Sequence, residues 1–212
     1  MENIKIFVIH YTKLKYRKTH ILQQLAKHNI TDFEFIESSD PDNLNPYLLS
    51  RINNNLKIGQ ISIICKHLEC YNTIANGDYD KYKYFLILED DVIFHDNFVN
   101  ILQNYLSQLP DDYDMLFIGD GCQLHINPIL LKPNCNIYLN PFGQTRCADS
   151  YFISKECIAK ILSYFSNMKE KMYLTIDHWM NKVARDNNFK YYWAEPTIVT
   201  QGSQNGLFKT EY

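Results

Sequence analysis

Glu89, Asp90 and Asp91 stand side by side behind an unbroken apolar run, Tyr84-Phe85-Leu86-Ile87-Leu88, and before another, Val92-Ile93-Phe94. Adjacent carboxylates repel one another, and burying even one without a partner is strongly unfavourable. A divalent cation removes that cost. Oxygen ligands of this kind suit Mg2+ or Mn2+, whose coordination shell a phosphate often completes. The pattern predicts a metal-bridged phosphate ester at the carboxyl end of a sheet strand. The alternative is a solvated acidic turn.

Such a triplet needs a sheet to position it. Ile4 to His10 reads as a buried strand, and Phe33 to Ile36 as a second. Thr12 is expected to cap a helix in which Leu14, Ile21, Leu22 and Leu25 recur at near-helical spacing. Pro46 suits a first helical position. Gly59 precedes a stronger helix whose apolar face is Ile61, Ile64, Cys65, Leu68 and Tyr71. Beyond the triplet, Phe98, Ile101, Leu102, Tyr105, Leu106 and Leu109 follow an amphipathic pattern that Pro110 ends. Met115 to Ile118 is a buried strand stopped by Gly119-Asp120-Gly121, and 122–145 reads as loop-rich, with Pro128, Pro133 and Pro141. Ser150 to Ile153 is a strand, Ser154 caps a helix through Phe165, and Thr175 opens a helix carrying Asp177. Tyr191 to Trp193 and Thr197 to Thr200 are late strands, and the polar tail from Gln201 to Tyr212 is expected to be mobile. Strands alternating with helices predict an α/β fold with a mostly parallel sheet covered on both faces. Ligands in such sheets bind beyond the carboxyl ends of strands, where the triplet falls.

The 212 residues suit one domain, 46% hydrophobic and 14% aromatic. A net charge of −3 argues against general nucleic-acid binding. Lys13, Lys15 and Lys18 read as one solvated helix face. No apolar run reaches the ~20 residues of a membrane span, and Lys5 interrupts the short run Ile4 to Ile9 that a leader would need. The six cysteines form no CxxC pair, which argues against structural zinc. Their scatter suits reduced thiols in a cytoplasmic protein, with a bridge such as Cys122 to Cys135 left open.

Several blocks, in order, resemble glycosyltransferase family 25, the group of lipooligosaccharide and procollagen galactosyltransferases. They are Ile6 to Arg17 (IFVIHYTKLKYR), Gly59 to Leu68 (GQISIICKHL), Phe85 to Phe94 (FLILEDDVIF), Asp114 to Gly119 (DMLFIG) and Ala148 to Ser154 (ADSYFIS). Asp177 falls where that family has a further acidic residue. His10-Tyr11 stands in place of Asn-Leu, Gln60 of Glu, Ser62 of Gly and Lys66 of Ser.

The resemblance implies a GT-A type fold over 1–212, with 1–120 as the nucleotide- and metal-binding half and 121–212 as the sugar and acceptor half. It implies a UDP-sugar donor, Mn2+ or Mg2+, inversion at the anomeric carbon, and a saccharide, glycolipid or protein acceptor. Glu89 and Asp91, two apart, are expected on one side, one holding the metal and the other the ribose or metal-bound water. Asp90 is expected to face a backbone amide or a basic side chain. Ile9, His10 and Tyr11 are expected near uracil and ribose. Arg17 reads as a diphosphate contact or a surface charge. Gln201 is a weak third metal ligand, and Asp149 either a hydrogen-bond partner of the donor hexose or a surface aspartate. His67 is either a hydrogen-bonded core histidine or a site residue. Asp177 is the expected general base, against simple helix-start chemistry with Thr175.

Two competing readings are a non-catalytic sugar-nucleotide-binding protein and a sugar nucleotidyltransferase. Tyr11 to Arg17 contains no glycine, which counts against the phosphate loop of the latter.

Overall fold

The computed structural model describes residues 1–209; positions 210–212 of the expected mobile tail lie outside the described residues. A seven-stranded sheet has the order β2-β1-β3-β7-β5-β8-β6. In chain order, β1 is Ile4–Ile9, β2 Phe33–Ile36, β3 Tyr84–Glu89, β5 Met115–Phe117, β6 Ile137–Asn140, β7 Ser150–Ile153 and β8 Tyr191–Ala194. A separate ribbon joins β4 (Val92–Phe94) to β9 (Val199–Gln201) in antiparallel register.

Direction follows from the pairings. β1 is parallel to β2 and β3. β7 is antiparallel to both β3 and β5. β5 is parallel to β8, which pairs antiparallel with β6. Five of the seven strands therefore run one way, and β7 and β6 run the other. The expected mixed, mostly parallel sheet is present.

Strand alternation sorts the apolar side chains onto two faces. Phe7, Ile9, Phe85, Ile87, Tyr151 and Ile153 share one core with residues of α3 (Ile58–Asn76), α5 (Lys155–Asn167) and α6 (Ile176–Asn187). Ile6, Val8, Leu86, Leu88, Leu116 and Phe152 share the other with Ile21 and Leu25 of α1 (Lys15–Lys27) and Phe98, Leu102 and Tyr105 of α4 (Phe98–Gln108). Burial on both faces explains why β1 and β3 read as continuous apolar runs. Each fully buried Leu, Ile or Phe among them contributes about 1.5–3 kcal/mol. The short α2 (Pro46–Arg51) starts at its proline, behind an Asn45 side chain that accepts from the Tyr47 and Leu48 amides. No helix among the described residues is long and apolar enough to cross a membrane.

Three local expectations are corrected. The first residue outside α1 is Leu14, without a side-chain cap. Thr12 turns instead to Asp40, its hydroxyl donating to Oδ2 at 2.5 Å. The 122–145 segment contains β6 and a single 3-10 turn, Pro128–Leu130. The edge strand was hidden by its four-residue length and its nearby prolines. The tail is folded through its described part: Gln201 belongs to β9, Gly202 donates to the Asp91 carbonyl at 2.8 Å, and Phe208 donates to the Gly202 carbonyl at 3.1 Å. Cys122 neighbours Cys147 rather than Cys135, and all six cysteines are free.

Candidate active site

The carboxyl edge of the sheet gathers the acidic side chains. Ile9 pairs with Glu89, so His10 and the triplet leave the sheet together. β7 runs the opposite way, which puts its beginning at this same edge. The Glu89 amide donates to the Asp149 carbonyl oxygen at 2.7 Å, next to the Leu88–Ser150 pair. β5 ends there too, leading through Gly119 to Asp120.

Within the triplet, Asp90 is the neutralised member. Its Oδ2 lies 2.6 Å from His10 Nδ1, and its Oδ1 accepts from Arg17 Nη1 at 3.2 Å. Of the two alternatives for Asp90, a backbone amide or a basic side chain, its partners here are basic side chains. Arg17 also approaches Asp91 Oδ2 at 3.4 Å and donates through Nη2 to the Lys209 carbonyl at 2.8 Å. Its guanidinium lies 5.4 Å from the centre of the Phe208 ring. Arg17 is only 4% exposed, so it is the triplet's buried counter-ion and not a surface charge.

Glu89 and Asp91 are less well compensated. Asp91 is fully buried. Its Oδ2 accepts from the Ser203 amide at 3.3 Å, and its Oδ1 has no hydrogen-bond partner among the described residues. Glu89 accepts from Gln201 Nε2 at 3.0 Å. Burial, then the charges of Asp91, Asp149 and Asp90, push the Glu89 carboxyl well above its usual range, with Arg17 opposing. Asp149 is buried, with Oδ2 accepting from the Ser150 hydroxyl at 2.8 Å and Oδ1 unpartnered among the described residues. Burial is the main cause that pushes it up to about 7. Gly119 makes room for it: a Cβ there would stand 2.5 Å from both Asp149 Oδ2 and Ser150 Oγ.

His67 belongs to a buried polar chain. Its Nδ1 is 2.7 Å from the Tyr151 hydroxyl, which is 2.7 Å from the Tyr71 hydroxyl. Its Nε2 is 3.9 Å from Glu89 Oε1. Burial pushes the imidazole down to about 3, so it is neutral. Both readings of His67 therefore meet: a core histidine that also borders the site.

Asp177 opens α6. Thr175 Oγ1 donates to its Oδ1 at 2.7 Å, and its Oδ2 lies 3.9 Å from His178 Nε2. The side chain is 29% exposed, so solvent reaches it. Ile9, Tyr11, Arg17, Glu89 and Asp90 border a narrow cleft of about 60 Å³, together with Ser62 and Lys66. A larger cavity of about 840 Å³, bordered by Tyr164, Tyr173 and Trp179, includes none of the triplet. Carboxylate chemistry, not cavity size, therefore locates the candidate site.

Three residues were not singled out as site residues from the sequence. Asp120 has a buried Oδ1 with no partner among the described residues, and burial raises its carboxyl. A glycine-flanked carboxylate after an apolar strand was the available signal. Lys66 is buried and donates to Ser38 O and Asp40 Oδ1, each at 2.7 Å; it was visible only as a departure from the family block. Arg146 is fully buried, donating to the Ala194 carbonyl at 2.6 Å and to Glu195 at 2.7 Å; nothing local marked it.

Among the described residues, no three His, Cys, Asp or Glu side chains converge as a metal-ligand set. The donor chemistry nevertheless fits a hard cation. Glu89, Asp91 and Asp149 are oxygen donors sharing little positive charge, and Asp91 Oδ1 is buried without a partner.

A sheet of this topology, flanked by helices and with carboxylates at its carboxyl edge, is the GT-A type of glycosyltransferase fold. A crystal structure of a glycosyltransferase involved in the glycosylation of the major capsid of PBCV-1 superposes with a TM-score of 0.53 at 12% identity, covering 93% of this chain and 91% of that one. The profile of glycosyltransferase family 25 (LPS biosynthesis protein) matches residues 3–180, and the chain belongs to that family. Two similar proteins come from Acanthamoeba polyphaga mimivirus. A procollagen lysyl hydroxylase and glycosyltransferase is 23% identical over 92% of this chain, and a putative glycosyltransferase, R655, is 29% identical over 72% of it. The matched regions make up 24% and 49% of those two proteins, so the chain spans only part of their length.

Proposed function

We propose that the chain is a metal-dependent, inverting glycosyltransferase. It moves a hexose or N-acetylhexosamine from a UDP-sugar to a hydroxyl of a saccharide, glycolipid or protein. One observation carries the reading: Glu89, Asp91 and Asp149 are buried at the carboxyl edge of the sheet, and Asp91 Oδ1 has no partner among the described residues. Family membership supports it, and the name of the first mimivirus relative brings a protein acceptor into range.

Glu89 and Asp91 would hold Mn2+ or Mg2+, which when bound neutralises the charge that develops on a departing diphosphate. Gln201 spends its amide on Glu89 and on Gln204, whose Nε2 donates to Gln201 Oε1 at 2.7 Å, so in this reading it braces Glu89 beside the metal. Ile9 and Tyr11 flank the nucleotide in the cleft. His10 and Arg17 fix Asp90, and Arg17 thereby sets the position of Asp91. The unpartnered oxygen of Asp149 accepts from a donor-sugar hydroxyl.

Asp177 is the general base. Thr175 occupies one of its oxygens, leaving the other for the acceptor proton. The acceptor oxygen bonds to the anomeric carbon as the carbon–phosphate oxygen bond breaks, inverting the centre. In this reading 1–120 supplies nucleotide and metal contacts and 121–212 the sugar and acceptor contacts.

The test is a panel of UDP-sugars with Mn2+ and UDP release as the readout. Release with one donor, raised by an acceptor, supports the transferase. Tight UDP binding without release from any donor favours the non-catalytic binder, a reading kept in play by the departures from the family pattern at Gln60, Ser62 and Lys66.

A further inference from the structure

The Cys122 and Cys147 thiols stand 3.6 Å apart. Their chain segments meet one residue earlier: a Cβ on Gly121 would lie 2.4 Å from the Arg146 carbonyl oxygen and 2.9 Å from its Cα. Both cysteines take left-handed backbone, with φ of 56° and 57°. A third segment braces the pair. Gln204 Oε1 accepts from the Cys122 amide at 2.9 Å, and Gln204 Nε2 lies 3.9 Å from Cys147 Sγ. Cys65, Cys70 and Cys157 are buried elsewhere, and Cys135 Sγ is spent on the Ile137 carbonyl at 3.5 Å.

We propose that Cys122 and Cys147 are a redox modification site that closes reversibly to a disulfide and staples the 123–146 segment. A disulfide needs sulfurs about 2.05 Å apart on backbones within about 7 Å. Backbones already in contact at Gly121 and Arg146 leave only about 1.5 Å for side-chain rotation to close. The proposal goes beyond the transferase reading and does not depend on it.

The oxidant is a low-molecular-weight disulfide, RSSR. The exposed Cys122, as thiolate, attacks one sulfur of RSSR and expels RS−, giving a mixed disulfide. Cys147 then loses its proton and attacks Cys122 Sγ. The Cys122–SR bond breaks, the Cys122–Cys147 bond forms, and a second RS− leaves; the released thiolates take up the two thiol protons. In sum the two thiols lose two electrons and two protons, and RSSR becomes two RSH. Cys122 is the exposed member of the pair and meets the oxidant first; Cys147, 3.6 Å away, acts second and at short range.

Closure ties the end of β5 to the start of β7 across a sequence separation of 25. It encloses β6, the Pro128–Leu130 turn and the exposed side chains of Ile129, Leu130 and Phe142. A cross-link over so long a loop restricts it strongly.

The experiment uses the full chain in glutathione buffers of graded poise, quenched by alkylation and mapped by mass spectrometry without reduction. The expected product is one Cys122–Cys147 cross-link, with the loss of two hydrogens and reversal by dithiothreitol. Amide exchange across 123–146 should slow by roughly tenfold or more. Cys147→Ser should stop at a glutathione adduct on Cys122, and Cys135→Ser should change nothing. Both thiols alkylated at the most oxidising poise, a Cys122–Cys135 product, or a cross-link with unchanged exchange would each overturn the proposal; the unaltered chain alone decides among them.

Discussion

Glu89 and Asp149 are neighbours because the strands that carry them run in opposite directions. Sixty positions separate them in sequence, yet the Glu89 amide donates to the Asp149 carbonyl at 2.7 Å. An end of one strand and a beginning of another thereby contribute carboxylates to one small volume. Their mutual repulsion leads to several measurable consequences.

Asp91→Ala should abolish Mn2+-dependent UDP binding and turnover. Titration calorimetry with and without Mn2+ reads the first and UDP release the second. The milder Asp91→Asn variant keeps the shape and should lose the metal response as well. Undiminished dependence on Mn2+ in either variant would remove Asp91 from the metal site.

Asp177→Asn should leave UDP affinity nearly intact and lower transfer by roughly 10²-fold or more, as expected for a lost base. The Asn amide can still accept from Thr175, so the start of α6 is kept. Transfer at the original rate would move the base role to another group.

Stability should fall as pH rises in the absence of divalent cation. Asp149 gives up its proton at 3.8 in its ordinary state and at about 7 in the fold. The folded chain thus binds more protons across that window. The stability gained by a protonated Asp149 is full below about pH 4 and is lost as pH rises through about 7. Glu89 acts in the same direction. The loss should be on the order of a few kcal/mol. Thermal unfolding should show Mn2+ recovering part of it at about pH 8 and little at about pH 5, with Asp149→Asn flattening the profile. A pH profile that Asp149→Asn leaves unchanged would contradict the assignment.

Gly119→Ala should cost about 1–3 kcal/mol, because its methyl group would overlap Asp149 and Ser150 in a closed space. Denaturant midpoints measure the cost. UDP-sugar affinity should fall with it while UDP affinity changes less, since Asp149 is assigned to the sugar. Equal losses for both ligands would point to general disruption of the edge.

Much of the fold was legible because β1 and β3 are buried on both faces and so read as uninterrupted apolar runs. The triplet behind β3 was legible for the same reason, and Ser154 announced α5 through a cap that accepts from Cys157 at 3.0 Å. Pairings across long separations were not. Asp90 was open to a backbone amide or a basic side chain, and its pairing with His10 and Arg17 depends on the β1–β3 register. The reversed direction of β7, which buries Asp149, leaves no local trace in four apolar-rich residues. Phe208 fixes the tail with one aromatic ring lying 5.0 Å from His20, a contact no periodicity could announce.

The strand order also constrains how the chain must mature on the ribosome. β2, β1 and β3 are made within the first 89 residues and pair with one another, but the next strand against β3 is β7, made last but one in the sheet. Until residues 150–153 emerge, β3 keeps an open edge and β5 has neither neighbour. Open edges recruit other chains, and non-local pairings form slowly. A nascent chain halted before β7 is therefore the vulnerable species, aggregation-prone and without the Glu89–Asp149 contact. Insertion of β7 is the step that both closes the edge of β3 and brings Asp149 beside Glu89, while β5 keeps its other edge open until β8 follows.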